Sequence, residues 1–266
     1  MIRRLVKNGY MAFIFTFLYA PVLVLIIFSF NQARSRAVWG GFTLDWYRKL
    51  LQNRDIMNAL QVTLTVALIS AVVSTIIATL TCIGLNAMRR RWRQAIMTVT
   101  YIPNVSPDLV TGIALMLLFF FIRMKTGFAT LLLAHIAFNI PYAILSISPK
   151  LKQLDRNLFE AALDLGCRPR QAIMRVILPE IMPGIITALI LTFTLSIDDF
   201  VISYFTAGNQ ISTLAITIYA MARKSVNPQI NALSTLMSLV VLSLLLVVNS
   251  RSGRDDKKKV NGGSFS

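Results

Sequence analysis

Glu160–Pro179, EAALDLGCRPRQAIMRVILP, is the stretch that decides how this chain folds. It is a polar, helix-forming insert set between apolar segments long enough to cross a membrane. Asn157 followed three residues later by Glu160 is the Asn form of a capping box and predicts a helix from about Leu158. Gly166 stands where that helix should stop, because glycine takes the left-handed conformation that closes a helix end. Pro169 suits the first turn of a second short helix, and Pro179 should end it. The expected product is two short helices joined at a glycine, with Arg168, Arg170 and Arg175 on or near the surface. A solvated amphipathic connector is the plain alternative. A DNA-binding helix–turn–helix is disfavoured, since bilayer lies a few residues away on both sides.

Working outward, 56% of the 266 residues are hydrophobic and only 14% are charged, with a mean hydropathy of +0.66. Such a composition excludes an ordinary soluble domain and points to an all-α polytopic membrane protein. Six segments reach the roughly 20 apolar residues a bilayer core demands: 10–30, 59–87, 95–122, 127–147, 183–205 and 231–250. The second is longer than a bilayer needs, so it should tilt or project into water. Arg123–Thr126 forms a tight hairpin between the third and fourth. Residues 1–250 are expected to form one transmembrane domain with a cytoplasmic loop at 148–180. Residues 251–266, polar and Lys-rich, are too poor in apolar groups to fold.

Lys and Arg total 27 against 11 acids, a net charge of +16. This balance could serve nucleic acid, but the bases gather at span ends, as membrane insertion requires. With the N-terminus inside, eighteen fall on cytoplasmic pieces and nine on outer ones, so both termini and the insert are placed in the cytoplasm. The first outer loop dilutes the bias with Arg34, Arg36, Arg48, Lys49 and Arg54. It also holds Thr43–Tyr47, TLDWY, which reads as a short amphipathic helix at the interface. Ile2–Lys7 reads as a short interfacial helix, and the apolar run after it as a retained span rather than a cleaved signal. Cys82 and Cys167 are too differently placed to pair.

Pro103 and Pro107 should break or kink the third span. Ser106-Pro107-Asp108 reads as a fresh helix start, with a cap, a first-turn proline and an acid at the positive end of the dipole. Pro141 is a second possible kink. Interrupted helices at membrane depth are tolerated only against protein or a watery cavity. Three acids lie at that depth: Asp108, Asp198 and Asp199. An unpaired carboxylate there costs roughly 2.5 kcal/mol or more, so each must face a cavity, a partner helix or a cation. Asp108 could instead serve only its helix dipole. Asp198 and Asp199 point about 100° apart on a helix, so one could pair with another subunit. Tyr19, Trp46 and Tyr204 could add aromatic faces to a cation path, although Trp and Tyr collect at interfaces regardless of function. His135 reads as a hydrogen-bonded core residue rather than a metal ligand. The sequence contains no P-loop motif and no catalytic or metal-ligand constellation, so catalysis by this chain alone is not expected.

Glu160-Ala161-Ala162, then Gly166, then Val176-Ile177-Leu178-Pro179 resembles the EAA loop of bacterial ATP-binding-cassette importer permeases. Val176 stands where that pattern prefers Ile. The resemblance extends over most of the chain. Tyr19-Ala20-Pro21 as a break in span one, Thr43–Tyr47, Ile102-Pro103, Ser106–Asp108 and Phe193–Phe200 (FTLSIDDF) are similar to permeases of spermidine/putrescine importers. Iron and other cation or organic-amine importers share parts of these stretches. The resemblance implies the type I (MetI-like) permease fold with six transmembrane helices and a cytoplasmic coupling loop in the bacterial inner membrane. Its implied ATPase-coupling residues are Glu160, Ala161, Ala162, Gly166, Leu178 and Pro179. Its implied partners are a second homologous permease, two ATP-binding subunits that hold ATP and Mg, a periplasmic polyamine-binding protein and membrane lipid. It implies no cofactor in this chain, no metal and no nucleic acid. The expected function is polyamine transport, not catalysis. A same-fold permease for ferric ion or another small solute stays open, and a channel or secondary transporter is disfavoured.

Overall fold

Among the described residues the long apolar stretches are largely helical in the computed structural model, which describes residues 2–33, 38–155, 157–224 and 228–243. The helices are α1 (Ile2–Ser29), α2 (Asp45–Gln52), α3 (Arg54–Ala87), α4 (Arg90–Val105), α5 (Asp108–Phe121) and α6 (Phe128–Lys152). They continue as α7 (Asn157–Asp164), α8 (Pro169–Ala172), α9 (Leu178–Asp198), α10 (Val201–Thr206) and α11 (Leu214–Lys224), followed by α12 (Pro228–Ser243).

Among the described residues, four helical stretches are long and apolar enough to cross a membrane: Lys7–Ser29, Arg54–Ala87, Phe128–Lys152 and Pro169–Asp198. The α4–α5 pair makes a fifth if it counts as one span, although it is bent by 108°. Among the described residues, four or five of the expected six crossings are therefore present. The third expected span is not one crossing rod, because Ser106 and Pro107 both take extended backbone between α4 and α5. The sixth, 231–250, is described only as far as Ser243 and is short over that part. At 34 residues, α3 is about 51 Å long, well beyond the roughly 30 Å hydrocarbon core.

Several local expectations change. Pro21 does not break the first span, since α1 runs through it, and Ile2–Lys7 continues into that helix rather than standing apart. Pro141 likewise lies within an unbroken α6. Ser106 makes no capping hydrogen bond; Pro107 occupies the cap position, and its carbonyl accepts from Val110 N–H at 2.9 Å. Helix α11 falls in a stretch for which no helix was expected.

The described residues gather into two compact units, Met1–Ala59 with Thr217–Ser243, and Leu60–Ile216. In the first, the chain after α1 folds back onto Asn31, whose carbonyl accepts the Trp46 indole N–H at 2.7 Å. The Ser29 hydroxyl meets the Tyr47 hydroxyl at 2.7 Å, and Phe30 packs on Phe42 and Tyr47.

In the second unit, α6 and α9 lie side by side. They share a core with α3 made of Ala78, Cys82, Ala143, Ile144, Ile147, Ile181 and Ala188. Lipid is as apolar as leucine, so small residues and close backbone approach, rather than water expulsion, hold such helices together. Gly184 shows how close: a Cβ there would sit 2.9 Å from Lys150 Cγ. A second cluster, Phe119, Ala134, Phe138 and Ile202, packs α5 and α6 against α10.

Candidate functional site: helix breaks, a buried polar seam and the polar insert

Asp198 and Asp199 stand where the fifth expected span breaks between α9 and α10. Asp198 ends α9 and is exposed. Asp199 takes extended backbone (φ −67°, ψ 124°) and turns its carboxylate back onto α10. Its Oδ1 accepts the Ile202 N–H at 3.2 Å, and its Oδ2 accepts the Ser203 N–H at 2.8 Å and the Ser203 hydroxyl at 2.9 Å. His135, on α6 and fully buried, places Nε2 3.0 Å from Ser203 Oγ and 3.6 Å from Asp199 Oδ2. The single Ser203 hydroxyl proton goes to the carboxylate, so the imidazole donates through Nε2. The two neighbouring acids thus differ sharply: one is bound up in protein contacts, the other is open.

One turn along α6, Asn139 carries the polar seam onward. Its Nδ2 donates to Ser196 Oγ on α9 at 2.7 Å and to Ser70 Oγ on α3 at 3.3 Å. The two serine oxygens are 3.1 Å apart. All three residues are buried, so three spans are tied by side-chain hydrogen bonds among apolar neighbours. At the far end, Thr130 Oγ1 lies 2.8 Å from the Thr206 carbonyl oxygen. Sequence reasoning missed Ser203, Asn139, Ser70 and Ser196. The visible signal was the i, i+4 spacing of His135 and Asn139, which places both on one helix face.

Asp108 opens α5 and is exposed. One turn later, Gly112 lies against α10: a Cβ there would be 3.1 Å from Phe205 and 3.6 Å from Ile202 Cα. The α5–α10 contact therefore brings the helix break at Asp108 and the one at Asp198 into one region. Tyr204 is exposed beside Phe200 and Phe205. Tyr19 is exposed on α1, stacked with Phe15. Trp46 is buried, its N–H is used, and Lys49 Nζ sits 4.8 Å from its ring centroid.

The insert folds as two helical pieces, with details that differ from expectation. Asn157 lies within α7 rather than at its cap: its own N–H donates to Asp155 Oδ1 at 3.0 Å. Gly166 (φ +86°) closes α7. Its N–H bonds the Leu163 carbonyl at 2.9 Å and the Cys167 N–H bonds the Ala162 carbonyl at 3.1 Å, the paired contacts of a Schellman close. Pro169 starts α8 as expected. Pro179 does not end it. A π turn over Ile173–Ile177 joins α8 to α9, with Leu178 N–H bonding Ile173 O five residues back. Proline clashes with the carbonyl four residues before it, and the wider turn relieves that crowding at Arg175.

On α7, Phe159 and Ala162 face inward, while Glu160, Ala161 and, just past its end, Leu165 are exposed. Leu178 packs against the α3–α6–α9 core, and Pro179 is exposed. Beneath α7 lies a cavity of about 510 Å³ walled by Cys82, Arg93, Met97, Tyr101, Asp155 and Phe159. A second, of about 440 Å³, shares Arg93 and Phe159 and reaches Glu160. Arg168, Arg170 and Arg175 are exposed.

Residues 71–252 match the family described as "Binding-protein-dependent transport system inner membrane component". The spermidine/putrescine transport system permease protein PotC of Shigella flexneri is 39% identical over 263 residues, covering 99% of each chain. The putrescine transport system permease protein PotI of Escherichia coli (strain K12) is 40% identical over 230 residues, 84% of this chain and 82% of that one. The fold is similar to a chain of a bacterial alginate ABC transporter crystallised with its alginate pentasaccharide-bound periplasmic protein. There the TM-score is 0.72 at 18% identity, covering 95% of this chain and 94% of the other. A chain of the inward-facing MetNI methionine ABC transporter gives 0.56 at 17% identity, covering 81% and 97%.

Proposed function

This chain belongs to the family of binding-protein-dependent transport system inner membrane components, and on that premise we propose that it is a permease subunit of an ATP-driven polyamine importer. Near-full-length similarity to a spermidine/putrescine permease carries the substrate class. The chemistry is consistent with it. Exposed carboxylates at two helix breaks, Asp108 and Asp198, can exchange hydration for contact with ammonium groups, and the nearby Tyr204 ring can add cation–π attraction. In this reading Asp108 and Asp198 contact the cation, Tyr204 offers a ring face, and Asp199 holds the backbone at the break between α9 and α10.

Six crossings, with both termini and the insert in the cytoplasm, complete the proposal. The exposed face of α7, with Glu160 and the small Ala161, and Leu165 just beyond it would dock on an ATP-binding subunit. Gly166 sets where that helix ends. Leu178 and Pro179 link the insert to α9 without a loop, so movement of α7 and α8 would pass directly into a span. A second permease would supply the other half of the path, and a periplasmic binding protein would deliver the cargo.

Asp108→Asn and Asp198→Asn test the assignment in cells carrying all the partner subunits. Labelled spermidine uptake should fall about tenfold or more in each, since a charge-assisted contact contributes roughly 1.5–3 kcal/mol, while assembly stays intact. Unchanged uptake in both single variants and in the double variant would remove the acids from the path.

A further inference from the structure

We infer that His135 and Ser203 are positioning residues, which lock Asp199 into the break of the fifth span and so hold Asp198 open to the cargo; the part concerning cargo rests on the polyamine reading above. Two adjacent carboxylates in a membrane protein would repel each other and compete for one cation. Here they do not share a role. Asp199 has both oxygens committed to α10, through two backbone N–H groups and the Ser203 hydroxyl. Only 7% of its side chain is accessible.

That cap alone would tie α10 to the end of α9 and to nothing else. His135 supplies the anchor. It reaches across from α6 to both members of the pair, at 3.0 and 3.6 Å. Its Nδ1 has no partner among the described residues, so the Nε2 side is the ring's only polar tie there. The break is thereby pinned to α6, which is itself pinned one turn further on by Asn139 to Ser70 and Ser196. The residue left exposed by this arrangement is Asp198. Losing the His135 contact would leave α10 packed through Ile202 and tied at its far end by Thr130, but would free the Asp199 end of the break, and Asp198 would lose its fixed position. The energy at stake is that of hydrogen bonds to a charged group, enough to change a rate by about tenfold.

Three observations on the assembled importer decide the matter. His135→Leu removes the donor with little loss of apolar volume, whereas His135→Gln keeps an N–H near the Nε2 position. Spermidine uptake should slow about tenfold in the Leu variant and stay within about threefold of wild type in the Gln variant. In His135→Leu/Asp198→Asn, uptake should be no slower than in Asp198→Asn alone, because one residue acts through the other. A merely structural defect would instead multiply the two losses. Independently of any cargo, the Ile202 and Ser203 amides should exchange hydrogen faster in His135→Leu and in Ser203→Ala than in wild type. Unchanged exchange, or multiplied uptake losses, would overturn the clamp. A wild-type complex that fails to accumulate spermidine would refute the polyamine reading, and the exchange result would still decide the clamp.

Discussion

Replacing Gly166 by alanine and by asparagine separates backbone strain from side-chain clash at the hinge of the insert. Gly166 sits at φ +86°, and a Cβ placed there would meet nothing within 4 Å. The steric cost of any small side chain is therefore zero, and only the left-handed backbone matters. For an ordinary L-residue that conformation costs about 1–2 kcal/mol, while asparagine is partly excused because its short amide hydrogen-bonds locally. The two closing bonds, Gly166 N–H to Leu163 O and Cys167 N–H to Ala162 O, should thus open about 5–30 times more often in Gly166→Ala. Gly166→Asn should lie between alanine and wild type. Amide exchange at Gly166 and Cys167 in the assembled importer measures this directly. The rate of spermidine-stimulated ATP hydrolysis shows whether the hinge transmits. Alanine and asparagine variants with identical protection, or an alanine variant as protected as glycine, would refute the reasoning.

Three further substitutions follow from the same geometry. Arg123 takes φ +54° at the close of α5, where Met124 N–H bonds Phe119 O and Arg123 N–H bonds Phe120 O; Arg123→Gly should stabilise the protein by about 1 kcal/mol in detergent unfolding, and a loss of stability would contradict the strain. Trp46→Phe removes the indole N–H from the buried Asn31 carbonyl and should cost about 1–3 kcal/mol. Spermidine uptake per folded complex should stay unchanged, so a selective uptake loss at normal stability would return Trp46 to the cargo path. Asn139→Leu cuts the tie among α3, α6 and α9 and should lower stability by about 0.6–1.7 kcal/mol, the range for polar contacts inside membranes; a stability gain would show the seam to be a burden.

Local grammar was legible where one residue acts on its own backbone. Gly166, Pro169 and Pro107 produced the boundaries their chemistry demands, whereas Pro103 lies inside α4 without ending it. The grammar failed where a competing neighbour changed the outcome. Pro179 lies in a continuous helix because a π turn ahead of it absorbs the clash. Asp155 lies two residues before Asn157 and takes the capping role. Asp108, Asp198 and Asp199 looked alike as acids at membrane depth. Their difference rests on Ser203, four residues beyond Asp199, and on His135, a helix from elsewhere in the chain. A sequence shows that a charge must be satisfied, but not which distant side chain will satisfy it. Trp46 likewise looked like an interfacial ring, and only the fold-back onto Asn31 buries it.

The most direct test of the central claim is labelled spermidine accumulation in vesicles containing this chain with its partner permease, ATP-binding subunits and binding protein. Accumulation should require ATP and this chain, be blocked by excess putrescine, and be indifferent to ferric ion. Accumulation that persists without this chain, or an ATP-dependent flux that ferric ion blocks and polyamines do not, would contradict the account.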